Sequence, residues 1–320
     1  MNLLVTGGAG FIGVNFIDYM LRTHPDYRIV CLDLLTYAAN PDRISELKKN
    51  DKFRFVKGDI RDREAVYSLF SEESFDAVIN FAAESHVDRS IENPDVFLST
   101  NVLGTGVLLD ACLKYGKIRF HQISTDEVYG DLPFESTASF SERDRLLPSS
   151  PYSASKASAD MLVLSYGRTY GLPVTISRSS NNYGPYQHSE KLIPTVIKKA
   201  LSNEKIPVYG DGRNLRDWLH VEDHCRAVDC ILHKGTVGEI YNIASEKEYS
   251  NTDTVKAILS LLGKSEELIS FVPDRPGHDL RYAVNCSKIR TALGWHAETE
   301  FTDGLCDTVR FYKRKYGGAE

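Results

Sequence analysis

Apolar residues arrive along this chain in short runs, each closed by a glycine-rich or acidic segment and followed by a longer amphipathic stretch. The first run, Leu3-Leu4-Val5, ends in Thr6-Gly7-Gly8-Ala9-Gly10-Phe11-Ile12-Gly13, after which a helical pattern carries on through Leu21. A second, Arg28 to Leu32, ends at Asp33. Phe53 to Lys57, Ala77 to Phe81 and Ile118 to Ile123 then recur at helix-sized intervals. They lead into Gly58-Asp59-Ile60, Ala82-Ala83-Glu84 and Ser124-Thr125-Asp126-Glu127-Val128-Tyr129-Gly130 respectively. This alternation predicts an α/β fold, a doubly wound parallel sheet of Rossmann type. In such sheets ligands sit at the carboxyl ends of the strands, so all these closing segments are expected on one rim.

Pro151-Tyr152 to Tyr170 reads as one helix, apolar at Met161, Leu162 and Leu164, and Pro173 opens another strand at Val174 to Ser177. Beyond about residue 178 the texture changes. Asn181 to Tyr186 reads as loop, Leu192 to Leu201 as helix, Pro207-Val208-Tyr209 as a short strand, and from Ser245 onward elements are short. The expected division is a nucleotide-binding domain over 1–178 with about 213–245. A smaller C-terminal α/β substrate-binding domain is expected over about 179–212 and 246–320. No repeat or long linker separates them, so a cleft between the two is the expected binding site.

Composition narrows the partners. The 320 residues carry a net charge of −6 and a pI near 5.9, which argues against nucleic acid or an anionic membrane as partner and leaves room for a local pocket gripping a small anion. Cys31, Cys112, Cys225, Cys230, Cys286 and Cys306 are scattered without a CxxC or a ligand-like pairing with histidine, so reduced thiols and no metal are expected. The chain opens directly on a strand-like run, from which a cytoplasmic location is expected.

Two groups of residues carry chemistry. Gly7, Gly10 and Gly13 between a strand and a helix form a GxxGxxG variant of the dinucleotide turn, where the backbone must approach a pyrophosphate at a helix N-terminus. Asp33, twenty residues after Gly13, is placed to bind the hydroxyls of an adenosine ribose and to repel a 2′-phosphate, which favours NAD over NADP. The second group is Thr125, Tyr152 and Lys156. A lysine four residues after a tyrosine on one helix face is expected to lower the phenol from about 10 toward neutrality. Oxidation alone leaves Asp126 and Glu127 surplus. They read either as a helix cap or as an acid and a base for a second reaction, in which Glu127 takes a proton beside a ketone while Asp126 protonates a departing hydroxyl. The second requires the chain to leave the strand at that point, because neighbours on a strand face opposite ways.

With Thr125-Asp126-Glu127-Val128-Tyr129-Gly130 stand Ala82 to Ser90 (AAESHVDRS), Ser180 to Pro185 (SNNYGP), Arg216 to His224 (RDWLHVEDH) and Asp274 to Asp279 (DRPGHD). Together these closely resemble the dTDP-glucose 4,6-dehydratases, which are extended short-chain dehydrogenase/reductases. The resemblance spans nearly the whole chain. It implies a homodimer acting on a nucleotide sugar. Tyr152 would be the base at the sugar O4, assisted by Lys156 and Thr125, while hydride passes from C4 to NAD. Glu127 would remove the C5 proton and Asp126 protonate the C6 hydroxyl, after which hydride returns to C6. It also implies NAD contacts from Gly7, Gly10, Phe11, Ile12, Gly13, Asp33, Thr36, Asp59, Ile60, Ala82, Ala83, Thr100, Tyr152, Lys156 and Asn182. Nucleotide-sugar contacts are implied for Ser85, Thr125, Asn181, Lys191, Leu192, Pro207, Tyr209, Arg216, Asn251, His278 and Tyr282. The chain departs from the family's usual pattern at Ala38-Ala39, at Gln187-His188-Ser189-Glu190 and at Ser179. The competing readings are a related 4,6-dehydratase of a UDP-sugar or of an N-acetylated sugar, a 4-epimerase, a decarboxylating UDP-sugar enzyme, and a non-catalytic NAD-binding scaffold or redox sensor.

Overall fold

A computed structural model describes residues 1–274 and 277–317; Arg275 and Pro276, within the Asp274 to Asp279 motif, lie outside the described residues. Valine, isoleucine and aromatic residues dominate the central strands, and almost every position in them is shielded on both faces, as parallel strands covered by crossover helices require. In chain order the strands are β1 (Asn2–Thr6), β2 (Arg28–Asp33), β3 (Phe53–Lys57), β4 (Ala77–Asn80), β5 (Arg119–Thr125) and β6 (Val174–Ser179). They continue as β7 (Asn181–Tyr183), β8 (Ile206–Tyr209), β9 (Leu215–His220), β10 (Ile240–Ile243), β11 (Glu248–Ser250) and β12 (Ile269–Val272). Seven form one parallel sheet in the order β10-β6-β5-β4-β1-β2-β3. The order reverses between β1 and β4, which opens a crevice at their carboxyl ends.

Each face of this sheet has its own core. Val66, Leu69, Phe70, Leu108, Leu109 and Val163 from helices Arg63–Glu72, Thr105–Lys114 and Pro151–Tyr170 cover one side. Phe16, Ile17, Met20, Cys225, Val228 and Leu232 from helices Phe11–Thr23 and Val221–Lys234 cover the other. One stretch, Pro94–Lys114, has the length and apolar composition of a membrane span, but half of its apolar window is buried within the protein, against the first of these cores. A further core gathers Ile193, Val196, Ile197, Val208, Val255, Leu259, Leu305 and Tyr312 around helices Leu192–Leu201, Asn251–Leu262 and Phe301–Gly317. β11-β9-β7 and β12-β8 make two small sheets beside it.

Three local outcomes differ from the sequence pattern. Residues 181–183, read as loop, pair with β9 as β7. β5 runs on through Ser124 and Thr125, and β6 on to Ser179, because Thr125 is paired with Ser179 in register. β9, in the segment grouped with the large sheet, pairs instead with β7 and β11, while β10 from that segment closes the large sheet against β6. Pairing partners far away in sequence decide all three.

Candidate active site

The carboxyl ends of β1, β2, β4 and β5 open into a cleft of about 590 Å³. Gly7 has φ +65, and a Cβ there would lie 2.4 Å from the backbone nitrogen of Ala82; one on Gly13 would lie 2.4 Å from the Gly7 carbonyl oxygen. Any side chain would therefore push the turn off the sheet. Helix Phe11–Thr23 starts at Gly10 with no side-chain cap, which leaves its positive end and first N–H groups for an anion. Gly10, Phe11, Ile12, Thr36, Ala82, Ala83 and Thr100 line the same space. Asp33 is fixed by Ala9 N, which donates to Oδ2 at 2.9 Å, and Leu35 N, which donates to Oδ1 at 2.7 Å. Each oxygen keeps a lone pair for a ribose hydroxyl. Burial raises the Asp33 pKa and these two N–H groups oppose it. The glycine cradle, the uncapped helix and Asp33 fit a dinucleotide.

Two expected contacts take a different form. Asp59 lines the cleft, yet Arg61 grips its carboxylate from Nε at 3.0 Å and Nη2 at 2.6 Å. Burial would raise Asp59, but Arg61 outweighs it and the pKa falls. Asn182 also lines the cleft, but its Nδ2 donates to Ser179 Oγ at 3.2 Å and to Ser180 O at 2.9 Å, while its Oδ1 lies 2.8 Å from His224 Nδ1. Its amide braces the wall, with one oxygen lone pair left over. Ile60 is almost wholly buried and contributes a flat apolar surface.

At the end of β5 the chain turns at once into a 3₁₀ turn, Asp126–Tyr129, whose N-cap is Thr125; Glu127 N donates to Thr125 Oγ1 at 3.2 Å. The strand thus ends where two adjacent carboxyls need it to. Thr125, Glu127, Tyr152 and Lys156 line the cleft. Asp126 does not: it is 2% exposed and lies behind Thr125, whose hydroxyl donates to Asp126 Oδ1 at 3.2 Å. Burial first, then the charges of Glu127 and Asp217, push the Asp126 pKa well up, which favours its protonated form.

The expected lowering of the Tyr152 phenol by Lys156 is not found. Burial, followed by the negative charge of Glu127, holds the phenol well above its ordinary value, and Thr125 opposes them by hydrogen bonding. Burial likewise brings Lys156 down to about 8, against the pull of Asp160. In a dry site burial shifts each group toward its neutral form. Lys156 Nζ donates to Ile123 O at 2.6 Å.

The opposite end of the cleft is lined by Ser85, Asn181, Lys191, Leu192, Pro207, Tyr209, Arg216, Asn251, His278 and Tyr282. Arg216 is shielded from solvent. It is 7% exposed, donates to the carbonyls of Leu215 at 2.7 Å and Asp279 at 2.9 Å, and lies 4.6 Å from the Tyr282 ring centroid. Those bonds position its charge without neutralising it, as an anion site requires. Asn181 Oδ1 is buried with no hydrogen-bond partner, leaving an acceptor unsatisfied at the cleft wall. Lys191 Nζ donates to Ser85 O at 3.1 Å, and His278 Nδ1 lies 2.6 Å from Asp274 Oδ1 while its ring meets Tyr209 edge-on.

Residues 4–308 match the family described as GDP-mannose 4,6 dehydratase. The chain is 47% identical to the dTDP-glucose 4,6-dehydratase of Haemophilus influenzae, over 98% of each protein. The chain belongs to the dTDP-glucose 4,6-dehydratases. It is also 52% identical to a low-salt glycan biosynthesis protein of Haloferax volcanii, again over 98% of each. The dTDP-glucose 4,6-dehydratase structure of Streptomyces venezuelae, solved with NAD and dTDP bound, superposes with a TM-score of 0.95 at 45% identity, covering 100% of this chain and 99% of that one.

Within this 4,6-dehydratase the unusual residues have identifiable contacts. Ser179 Oγ accepts from Asn182, Gln187 Nε2 donates to Asn182 O at 2.9 Å, and His188 meets Tyr37 edge-on. Glu84, His86 and Glu190 line the cleft although no role was assigned to them from sequence. Asn101 was missed altogether: its amide donates to Glu84 O at 3.0 Å and Ser155 Oγ at 2.8 Å and accepts from Glu84 N at 2.8 Å. Nothing in its local pattern marks it, because the π-helical segment Leu98–Gly104 that aims it inward depends on packing.

Proposed function

We propose that this chain converts dTDP-glucose to dTDP-4-keto-6-deoxy-glucose by oxidation at C4, loss of water across C5 and C6, and reduction at C6. What supports this reading is the pair after β5: Glu127 on the cleft wall, and Asp126 beside it, buried and shifted toward its protonated form. A plain epimerase has no use for two adjacent carboxyls in such different environments. Gly7, Gly10, Gly13 and Asp33 would hold NAD, which would supply a hydride acceptor for C4 and a hydride donor for C6 and whose positive charge would favour the Tyr152 phenolate.

Tyr152 accepts the proton of the C4 hydroxyl, with Thr125 bonded to the same oxygen and Lys156 as an ammonium offsetting the phenolate. The resulting ketone acidifies C5–H, and Glu127 removes that proton and returns one to C5 when hydride adds at C6. Asp126 releases its proton toward the C6 hydroxyl, so the group leaves as water. Its position behind Thr125 means the proton reaches the cleft past the Thr125 hydroxyl. Arg216 and Lys191 hold the diphosphate end, and the cleft walls exclude water from the reacting carbons.

The reading includes a cytoplasmic homodimer. Leu98 and Leu103, in the Pro94–Lys114 stretch, and Met161 and Tyr170 on helix Pro151–Tyr170 are all exposed, an apolar surface suited to a second copy.

Incubating the purified protein with dTDP-glucose, UDP-glucose or UDP-N-acetylglucosamine and following product masses tests the proposal. Loss of one water from dTDP-glucose is expected. Loss from a UDP-sugar alone would overturn the base assignment, and no mass change with any substrate would overturn the dehydratase reading.

A further inference from the structure

Tyr152, Lys156 and Asp160 recur four residues apart on helix Pro151–Tyr170, which stacks them in one stripe. They are 8%, 5% and 0% exposed. At the far end of the stripe Arg178, from β6, donates from Nε to Asp160 Oδ2 at 2.9 Å and from Nη1 to Tyr129 OH at 3.0 Å. Tyr129 OH in turn donates to Asn242 Oδ1 at 2.7 Å. A buried ion pair of this kind is weak evidence for stability, since the desolvation of two charges can exceed their attraction. Its place one turn beyond the lysine suggests a different task.

Lys156 Nζ donates to a neutral carbonyl, so that bond does not fix its charge. Asp160 Oδ1, on the side away from the Arg178 bond, is buried without a hydrogen-bond partner, and so is Ser124 Oγ. The Ser124 hydroxyl nevertheless lies close enough to favour the carboxylate. We propose that Asp160, clamped by Arg178, is a positioning residue that supplies the counter-charge for Lys156 and keeps it an ammonium beside Tyr152 while the sugar is oxidised. This assignment rests on the dehydratase reading of the cleft.

The charges facing the stripe are consistent with it. Burial raises Asp160, and Arg178, then Lys156, pull it back toward the carboxylate. Asp160 is the charge that opposes the desolvation of Lys156. From the turn after β5, Glu127 and Asp126 act on Tyr152. From helix Thr105–Lys114, Asp110 is engaged by Arg63 and Tyr166 at the opposite end of the helix.

The test is the pH profile of C4 oxidation in Asp160→Asn. Since the ammonium form assists the phenolate, the rate should fall as pH rises through the Lys156 pKa. Without the Asp160 charge that fall should come about one pH unit lower, a loss of about tenfold at alkaline pH that shrinks toward pH 6. Asp160→Glu should restore the wild-type limb. An equal loss at every pH would reduce Asp160 to a structural residue and overturn the proposal. Should Arg178, left unpaired, prevent folding, Asp160→Asn combined with Arg178→Gln removes both buried charges and should keep the displaced limb; an undisplaced limb there would also overturn it. The titration of Lys156, followed by NMR of ¹³Cε-lysine and assigned with Lys156→Arg, needs no substrate. It should move to lower pH in Asp160→Asn even if dTDP-glucose proves not to be the substrate, and an unmoved titration would refute the counter-charge whatever the cleft binds.

Discussion

Asp126 and Glu127 are adjacent in sequence and opposite in environment, and the difference should be visible in isotope exchange. Asp126 is shielded, with its pKa pushed well up by burial, while Glu127 faces the cleft. In deuterated water Glu127→Gln should abolish incorporation of deuterium at C5 of recovered dTDP-glucose, because the proton is never removed. Asp126→Asn should keep that incorporation and lose elimination by roughly 10²- to 10⁴-fold. Mass spectrometry of recovered sugar and product reads both. Equal effects from the two variants would show that the roles are not divided. At the same scale, Asn182 shows how a contact inferred by resemblance can become a brace: once Ser179, Ser180 and His224 have engaged its amide, one lone pair remains for a ligand.

Among the elements, helix Pro151–Tyr170 has the most exacting start. Ser150 Oγ accepts from Ser153 N at 3.1 Å and Ser153 Oγ accepts from Ser150 N at 3.0 Å, with Pro151 at the first helical position and Gly171 closing the other end. Tyr152 sits directly after this cap, so the cap orients the base as well as the helix. Ser150→Ala should lower unfolding stability by about 1 kcal/mol in urea titration and slow C4 oxidation. Unchanged turnover with reduced stability would separate the cap from the catalytic geometry. The Leu98–Gly104 segment makes the converse point, since its π-helical geometry aims Asn101 at Ser155 and Glu84 without any capping signal in the sequence.

For the molecule as a whole, buried histidines tie stability to pH. His121, between Thr175 Oγ1 and Ser177 Oγ, and His224 are both brought down to about 3 by burial. Unfolded histidines titrate near 6.5, so stability is full above that pH and is lost as pH falls from there toward 3. Asp126, Asp160 and Asp217 work in the opposite direction, Asp217 being raised to about 6 by burial. The clean measurement is therefore a difference: between pH 7 and pH 5, His224→Gln should lose about 2 kcal/mol less stability than the wild type in denaturant titrations. Equal losses would mean that His224 titrates normally in the fold.

The parallel sheet, the glycine turn, Asp33, the helix bearing Tyr152 and Lys156, and the Thr125-Asp126-Glu127 triplet were all legible in the sequence. Each depends on local periodicity, on a residue without a Cβ, or on a short spacing that one element can satisfy. What required the tertiary structure was everything set by a partner distant in the chain: β7 pairing with β9, Arg61 neutralising Asp59, and Asp126 withdrawn behind Thr125. Protonation states belong to the same class, since Tyr152, Lys156 and Asp126 owe theirs first to burial. Residue type and spacing establish which groups meet; how dry their surroundings are decides which of them carries charge, and burial is a property of the packed molecule.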